Sequence, residues 1–319
     1  MKELKRIRIV VTYNDNTLNF ESFKSYIDKC STVKEVELYG DKDVFDNPYI
    51  FDMINYAYNK DMFIVAYTSL NYKLDIIKKL CDDKLTLIVR IESVNSELYN
   101  KYTDKDINIL IENIKWITKN KPNIKLVFQP VFFRNTLGSI DKIIPLAKEN
   151  LADITPILPT LKTIEDEEYL SPFELSNCDK LIEHFNLISN YFGIKTEFRT
   201  YYPTPRYCED AYEIPTIGVN GNIYYCHYMH DNRYEVYNKE KVDIPRSNYM
   251  ICNIRNLEDI NNIWNNNKSK QLRKKIHDCI KYEKIHPYDK DQYIIARKSS
   301  SNKDFDYCCY CLWRWNQCM

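Results

Sequence analysis

A β-branched stretch followed by an amphipathic helical stretch recurs six times before residue 200, and this recurrence limits the fold more than any other feature of the chain. Arg6–Thr12 reads as a strand, and Phe20, Phe23 and Ile27 then place apolar side chains at helical spacing over Phe20–Cys30. The pattern returns in Glu35–Gly40 with Pro48–Asn59, in Met62–Thr68 with Leu74–Cys81, and in Leu85–Glu92 with Ile107–Lys119. Ile124–Phe132 with Ile140–Glu149 and Ile154–Pro159 with Cys178–Phe192 complete the series. The last helix has an N-terminal signal at Ser176, with Asp179 three residues on, and a stop at Gly193. Strands such as Leu85-Thr-Leu-Ile-Val-Arg-Ile are apolar nearly throughout, as a helix-covered parallel sheet requires. Six successive βα units with right-handed crossovers predict an α/β fold, a partial (βα)6 TIM-like barrel whose sites lie at the C-terminal ends of its strands.

The pattern stops near residue 200, where Tyr201–Pro205 is rich in Pro and Tyr. Two domains are therefore expected, 1–200 and 201–319. In the second, Thr216–Tyr225 reads as a β-hairpin with Asn220-Gly221 supplying a tight two-residue turn of positive φ. A helix follows around Leu257–Ile276, and the polar Lys284–Asp306 reads as a loop.

Composition removes several function classes. Lys plus Arg equals Asp plus Glu at 45 each, so there is no net basic field for nonspecific nucleic-acid or anionic-membrane binding. No apolar run reaches the ~20 residues of a membrane span, and Met1-Lys-Glu-Leu-Lys-Arg leads into a strand rather than a signal-peptide core. A cytosolic protein is expected, where eleven cysteines indicate metal ligation or buried thiols rather than disulfides. The five glycines are too dispersed for a P-loop or a dinucleotide-binding loop.

Chemistry concentrates in the last third, in Cys208, Cys226, Cys308, Cys309, Cys311 and Cys318. Such a cluster of thiols suggests a metal or iron–sulfur centre, and four thiolates bind Zn²⁺ in a closed tetrahedral site equally well. Cys308 and Cys311 have the Cys-x-x-Cys spacing, and Cys309 diverges from the site if Cys308 is the ligand. Cys318 is either a substitute ligand or a noncoordinating fifth thiol. Cys252 reads as packing, as do Cys30, Cys81, Cys178 and Cys279 on predicted helices. His227 and His230 are weaker metal-ligand candidates. Arg90 and Glu92 alternate on the fourth predicted strand, so both are placed to point into the barrel, where they either pair with each other or bind something polar. Asp41, Lys42 and Asp43 read as a solvated charged loop at the end of the second.

Cys208, the segment Gly221-Asn-Ile-Tyr-Tyr-Cys226, Asn253-Ile254, Ile263-Trp264-Asn265, Leu272-Arg273 and the closing cysteines occur in an order that resembles the SPASM domain of radical S-adenosylmethionine enzymes. The resemblance extends to the N-terminal half in the order of its elements. It implies a SPASM-like second domain, built from a β-hairpin and a helix, that holds one [4Fe–4S] cluster, with zinc as the alternative metal. In that family the first strand runs into Cys-x-x-x-Cys-x-x-Cys, whose thiolates hold the cluster that binds S-adenosylmethionine. The matching positions here are Tyr13, Thr17 and Phe20, while Asn14 matches the Asn that often follows the first cysteine. The family's Gly-Gly-Glu-Pro is replaced by Gly40-Asp41-Lys42-Asp43. The resemblance thus implies a protein without the reactive cluster, with Tyr13–Phe20 as a loop filling the barrel mouth. Its implied role is that of a binding or electron-transfer partner for a peptide, a protein or another enzyme. Two competing readings are an enzyme using the barrel cavity for other chemistry and a zinc-stapled binding module.

Overall fold

The Ile-Arg-Ile-Val-Val run forms the central strand of the first unit in the computed structural model, which describes residues 3–81, 83–157, 178–194, 196, 213–227, 234–237, 240–243, 250–271 and 273–274. In chain order, β1 (Arg6–Tyr13) turns back into β2 (Asn16–Thr17), followed by α1 (Phe20–Asp28), β3 (Glu35–Gly40), α2 (Ile50–Asn59), β4 (Phe63–Thr68) and α3 (Leu74–Ile77). Next come β5 (Leu85–Ile91), α4 (Ser96–Thr103), α5 (Ile107–Asn120), β6 (Lys125–Pro130), α6 (Ile143–Glu149), β7 (Asp153–Ile154) and α7 (Cys178–Tyr191). The remainder supplies β8 (Thr216–Ile217), β9 (Asn222–Tyr224), β10 (Tyr234–Tyr237), β11 (Glu240–Asp243), β12 (Met250–Asn253) and α8 (Ile260–Trp264). The chain divides into two compact units: one holds the described residues up to Ile64 and from Glu213 onward, the other those from Val65 to Thr196.

In the first unit β3 runs parallel to β1, with Arg6 level with Glu35 and Arg8 level with Glu37, and a register shift falls between Val10 and Thr12. Ile7, Ile9 and Val11 on β1 and Val36 and Leu38 on β3 are buried, as are Phe23, Tyr26 and Ile27 of α1 and Met53, Ile54 and Ala57 of α2. On its other edge β1 pairs with β8 in parallel, and β8, β9 and β12 continue as antiparallel neighbours. Strands β10 and β11 form a separate antiparallel ribbon.

The β8–β9 hairpin differs from the sequence expectation in its turn. Gly221 N–H donates to Gly218 C=O across a four-residue turn, and Gly221 alone takes a positive φ, 84°. Asn220 keeps a negative φ because its side-chain oxygen accepts from Asn222 N–H, stabilising the turn from within. A side chain at Gly221 would also lie 2.9 Å from the Tyr26 hydroxyl, so both conformation and space require glycine.

In the second unit β5 and β6 are parallel from Thr86–Lys125 to Ile91–Pro130, and β7 follows in parallel on β6. Helix α7 ends before Gly193, as predicted, whereas Ser176 lies outside the described residues. Helix α4 was not predicted: only Tyr99 is buried on it, so it lacks an apolar stripe. Its ends carry the signal instead, with Asn95 capping Leu98 N–H and Asp104 closing it in the left-handed conformation. The predicted helix 257–276 is broken after Trp264. Asp259 caps its first piece and Asn266 caps Ser269 N–H to start a second. The region 284–306 lies outside the described residues.

Candidate functional site

The stretch expected to be a mouth-filling loop is a tight hairpin. Asn14 takes the left-handed conformation at φ 53°, and the chain returns with Tyr13 opposite Asn16 and Thr12 opposite Thr17. Leu18 N–H then donates to Val11 C=O at 2.9 Å. The Asn47 side-chain amide, 1% exposed, donates to both Val11 C=O (2.8 Å) and Leu18 C=O (2.9 Å) and clamps the two strands together. From the other side Asp41 accepts the Asn14 N–H at 2.6 Å, and Lys42 pairs with Asp15 at 3.2 Å. Asp41 and Lys42 are exposed, in keeping with a solvated loop, while Asp43 caps a short 3-10 turn through Phe45 N–H.

Directly opposed residues of an antiparallel ribbon share a face and neighbours alternate, so Tyr13 and Thr17 point to opposite faces. Thr17 is exposed, and Phe20, the first residue of α1, meets the Tyr56 ring edge-on at 5.9 Å. None of the three carries sulfur. A phenol, a protonated aliphatic hydroxyl and a phenyl ring do not fit a centre that needs three thiolates.

Gly40 has a packing role at this hairpin. A Cβ there would lie 1.9 Å from Thr12 Oγ1 and 3.0 Å from the carbonyl oxygens of Thr12 and Lys42. Gly40→Ala is expected to lower stability by about 1–3 kcal/mol through overpacking. Adding Thr12→Ala should recover only part of it, because the two carbonyls remain. Urea denaturation of the single and double variants checks this.

The strand faces opposite the apolar layer of β1 and β3 carry a ladder of charges that sequence reasoning missed. Glu37, 3% exposed, accepts from Arg8 Nε at 2.8 Å and Nη2 at 2.7 Å, while its other oxygen accepts from Arg6 at 3.1 Å. Arg6 also pairs with Glu35 at 2.7 Å. The signal was present as Arg-x-Arg on one strand and Glu-x-Glu on the next, a match that becomes visible only once the register is known. The guanidinium of Arg8 lies 6.0 Å from the Tyr39 ring, which meets His227 edge-on at 5.9 Å.

Arg90 and Glu92 do pair, at 2.5 Å. Glu92 is buried and Arg90 is 55% exposed, so the carboxylate holds a guanidinium that is open to solvent.

Of the expected thiol ligands, Cys226 is described: it is buried just beyond β9. Cys208, Cys308, Cys309, Cys311, Cys318 and His230 lie outside the described residues. Cys30 is buried, its thiol donates to Tyr26 C=O at 3.1 Å, and burial pushes its pKa up. Cys252 is half-buried, and burial again raises its pKa against the opposing effect of Lys268. Both behave as packing residues, as does Cys81, whose thiol faces Asp83 C=O at 3.6 Å. The Cys178 side chain and Cys279 are not among the described groups. Among the described residues no three His, Cys, Asp or Glu side chains gather as a metal site. No described helix is long and apolar enough to cross a membrane.

No family model and no curated protein sequence matches the chain. Among solved structures, the chain is similar to Streptococcus suis SuiB bound to S-adenosylmethionine, with a TM-score of 0.60 and 13% identity over 85% of this chain and 66% of that one. SuiB bound to the precursor peptide SuiA gives 0.61 and 13% over 85% and 67%. Hexahistidine-tagged anSMEcpe with bound AdoMet gives 0.59 and 10% over 83% and 82%. At such identities the likeness is one of fold, a mixed α/β architecture with a parallel sheet. The chain spans just under two thirds of SuiB bound to S-adenosylmethionine.

Proposed function

We propose that this chain is an atypical protein of the radical S-adenosylmethionine/SPASM fold that does not cleave S-adenosylmethionine. In this reading residues 1–200 are the barrel and 201–319 a SPASM-like domain. Cys208, Cys226, Cys311 and one of Cys308 or Cys309 hold a single [4Fe–4S]-type centre. The protein serves as a binding or electron-transfer partner in peptide or protein modification. The observation that carries the reading is the β1–β2 ribbon, which sends Tyr13 and Thr17 to opposite faces. Both the donor chemistry and the backbone at these positions oppose a three-thiolate cluster. The peptide-bound state of SuiB, a structural neighbour, supports a peptide client.

The test is anaerobic reconstitution with iron and sulfide, dithionite reduction and assay for 5′-deoxyadenosine from S-adenosylmethionine. The product is expected to stay at the level of a no-protein control. A variant with cysteine at positions 13, 17 and 20 should behave the same, because the ribbon does not let the three thiols converge. Product above the control from the parent protein refutes the proposal. Iron, sulfide and zinc analysis of the same samples separates a cluster from a zinc centre.

A further inference from the structure

We infer that the described C-terminal residues of the first unit, 213–227 and 250–271, are held on its N-terminal residues by hydrogen bonds and packing, so that these segments are in place before metal binds and stay in place when it leaves. The inference rests on the reading of Cys226 as a metal ligand, and it concerns what fixes that ligand in place before metal arrives.

Small metal-stapled domains have little core, and without metal they unfold. The backbone around Cys226 is anchored differently. Arg8 N–H donates to Pro215 C=O at 2.9 Å, which begins the parallel pairing of β8 with β1. Ile217 and Ile223 are fully buried, and Tyr225, immediately before Cys226, is 1% exposed. The Tyr225 hydroxyl donates to Ser269 Oγ at 3.1 Å, Ser269 Oγ donates in turn to Ile263 C=O at 2.8 Å, and the Tyr225 ring lies 5.8 Å from that of Trp264.

A second set of bonds ties the following segment to the β8–β9 turn and to the N-terminal residues. Ile254 N–H donates to Gly221 C=O at 2.8 Å, and Asn253 bridges Asn220 C=O and the Asn222 side chain. Lys29 caps the carbonyls of Ile254 and Arg255 at 3.1 and 3.0 Å, while its own carbonyl accepts from Ile260 N–H. Asn261 accepts from Leu4 N–H and donates to Thr32 Oγ1, both at 2.9 Å, and Asp259 accepts from the Ser31 hydroxyl. None of these groups is a thiol, and none needs a metal to form its bond. The proposed ligand Cys226 thus lies two residues beyond a strand that is paired into the sheet of β1.

The test uses the full chain, as purified and after anaerobic treatment with a chelator under reducing conditions, alongside Cys226→Ser. Metal content and hydrogen exchange of peptides spanning 216–224 and 250–264 are the readouts. The expected result is loss of metal with unchanged amide protection in both peptides, and recovery of the original stoichiometry on adding iron and sulfide without any denaturation step. Protection that falls to that of the unfolded chain when metal is removed overturns the inference, and so does a requirement for refolding before reloading. If the purified protein holds no metal, the ligand reading of Cys226 fails. Protected amides in that same sample would still uphold metal-independent anchoring, so the two failures are distinct.

Discussion

Glu37→Leu is expected to destabilise the protein by about 3–5 kcal/mol, because it leaves the Arg8 guanidinium buried without its carboxylate. The ion pair itself is not the source of so large a loss. Two desolvated charges roughly offset their mutual attraction, and the penalty appears when one partner is removed. Glu37→Leu combined with Arg8→Met should therefore regain most of the lost stability, which a double-mutant cycle by urea denaturation measures. Arg6 keeps Glu35 in every variant, and its 3.1 Å bond to Glu37 is lost in the single and the double Leu variants alike, so that loss cancels from the coupling energy. Salt should change the parent little, since a pair this buried is weakly screened. A loss below about 1 kcal/mol in the single variant would place the ladder among surface ion pairs and refute the argument.

The sequence was most readable where one local signal decided an element by itself. Periodicity located β1, β3, α1 and α2 to within a few residues, because the apolar side of each strand and helix is buried against the same core. It failed at α4, where the helix rests on its caps and buries a single tyrosine. It failed again at Tyr13–Phe20, where Asn14-Asp15 lacks the glycine that marks most two-residue hairpins, yet Asn tolerates the left-handed turn and Asn47, 33 residues beyond Asn14, supplies the clamp. The Arg6–Glu35–Glu37–Arg8 ladder was hidden for a related reason. Each charge taken alone is an ordinary strand residue, and only the parallel register of β1 and β3 brings opposite signs together. The Arg90–Glu92 pair was one of two expected outcomes, because Arg90 lies on β5 and Glu92 directly follows it, so alternation brings them to the same side.

Asn47→Leu carries the second large expected effect, a loss of about 2–4 kcal/mol read by urea denaturation. The parent amide reaches two carbonyls that are 36 and 29 residues away in sequence. Val11 C=O keeps the Leu18 N–H as a partner after the substitution, whereas Leu18 C=O loses the donor that holds it, in a place where Leu18 itself is 2% exposed. Leucine keeps the branched shape of asparagine and leaves no cavity, so the loss reports the two missing donors together with the acceptor that Asn47 Oδ1 offers Tyr49 N–H at 2.9 Å. Hydrogen exchange at the Leu18 amide should rise more than exchange in β3, because the clamp acts on the ribbon and the strand pairing of β1 with β3 does not depend on it. Equal protection at Leu18 in variant and parent would show that the β1–β2 turn closes without the clamp. The same variant separates two explanations of catalytic silence. Loosening the ribbon removes the geometric obstacle but supplies no thiolate at Tyr13, Thr17 or Phe20, so 5′-deoxyadenosine should remain at the no-protein level. If loosening alone produced it, ligand chemistry at these three positions would have to be abandoned as the cause.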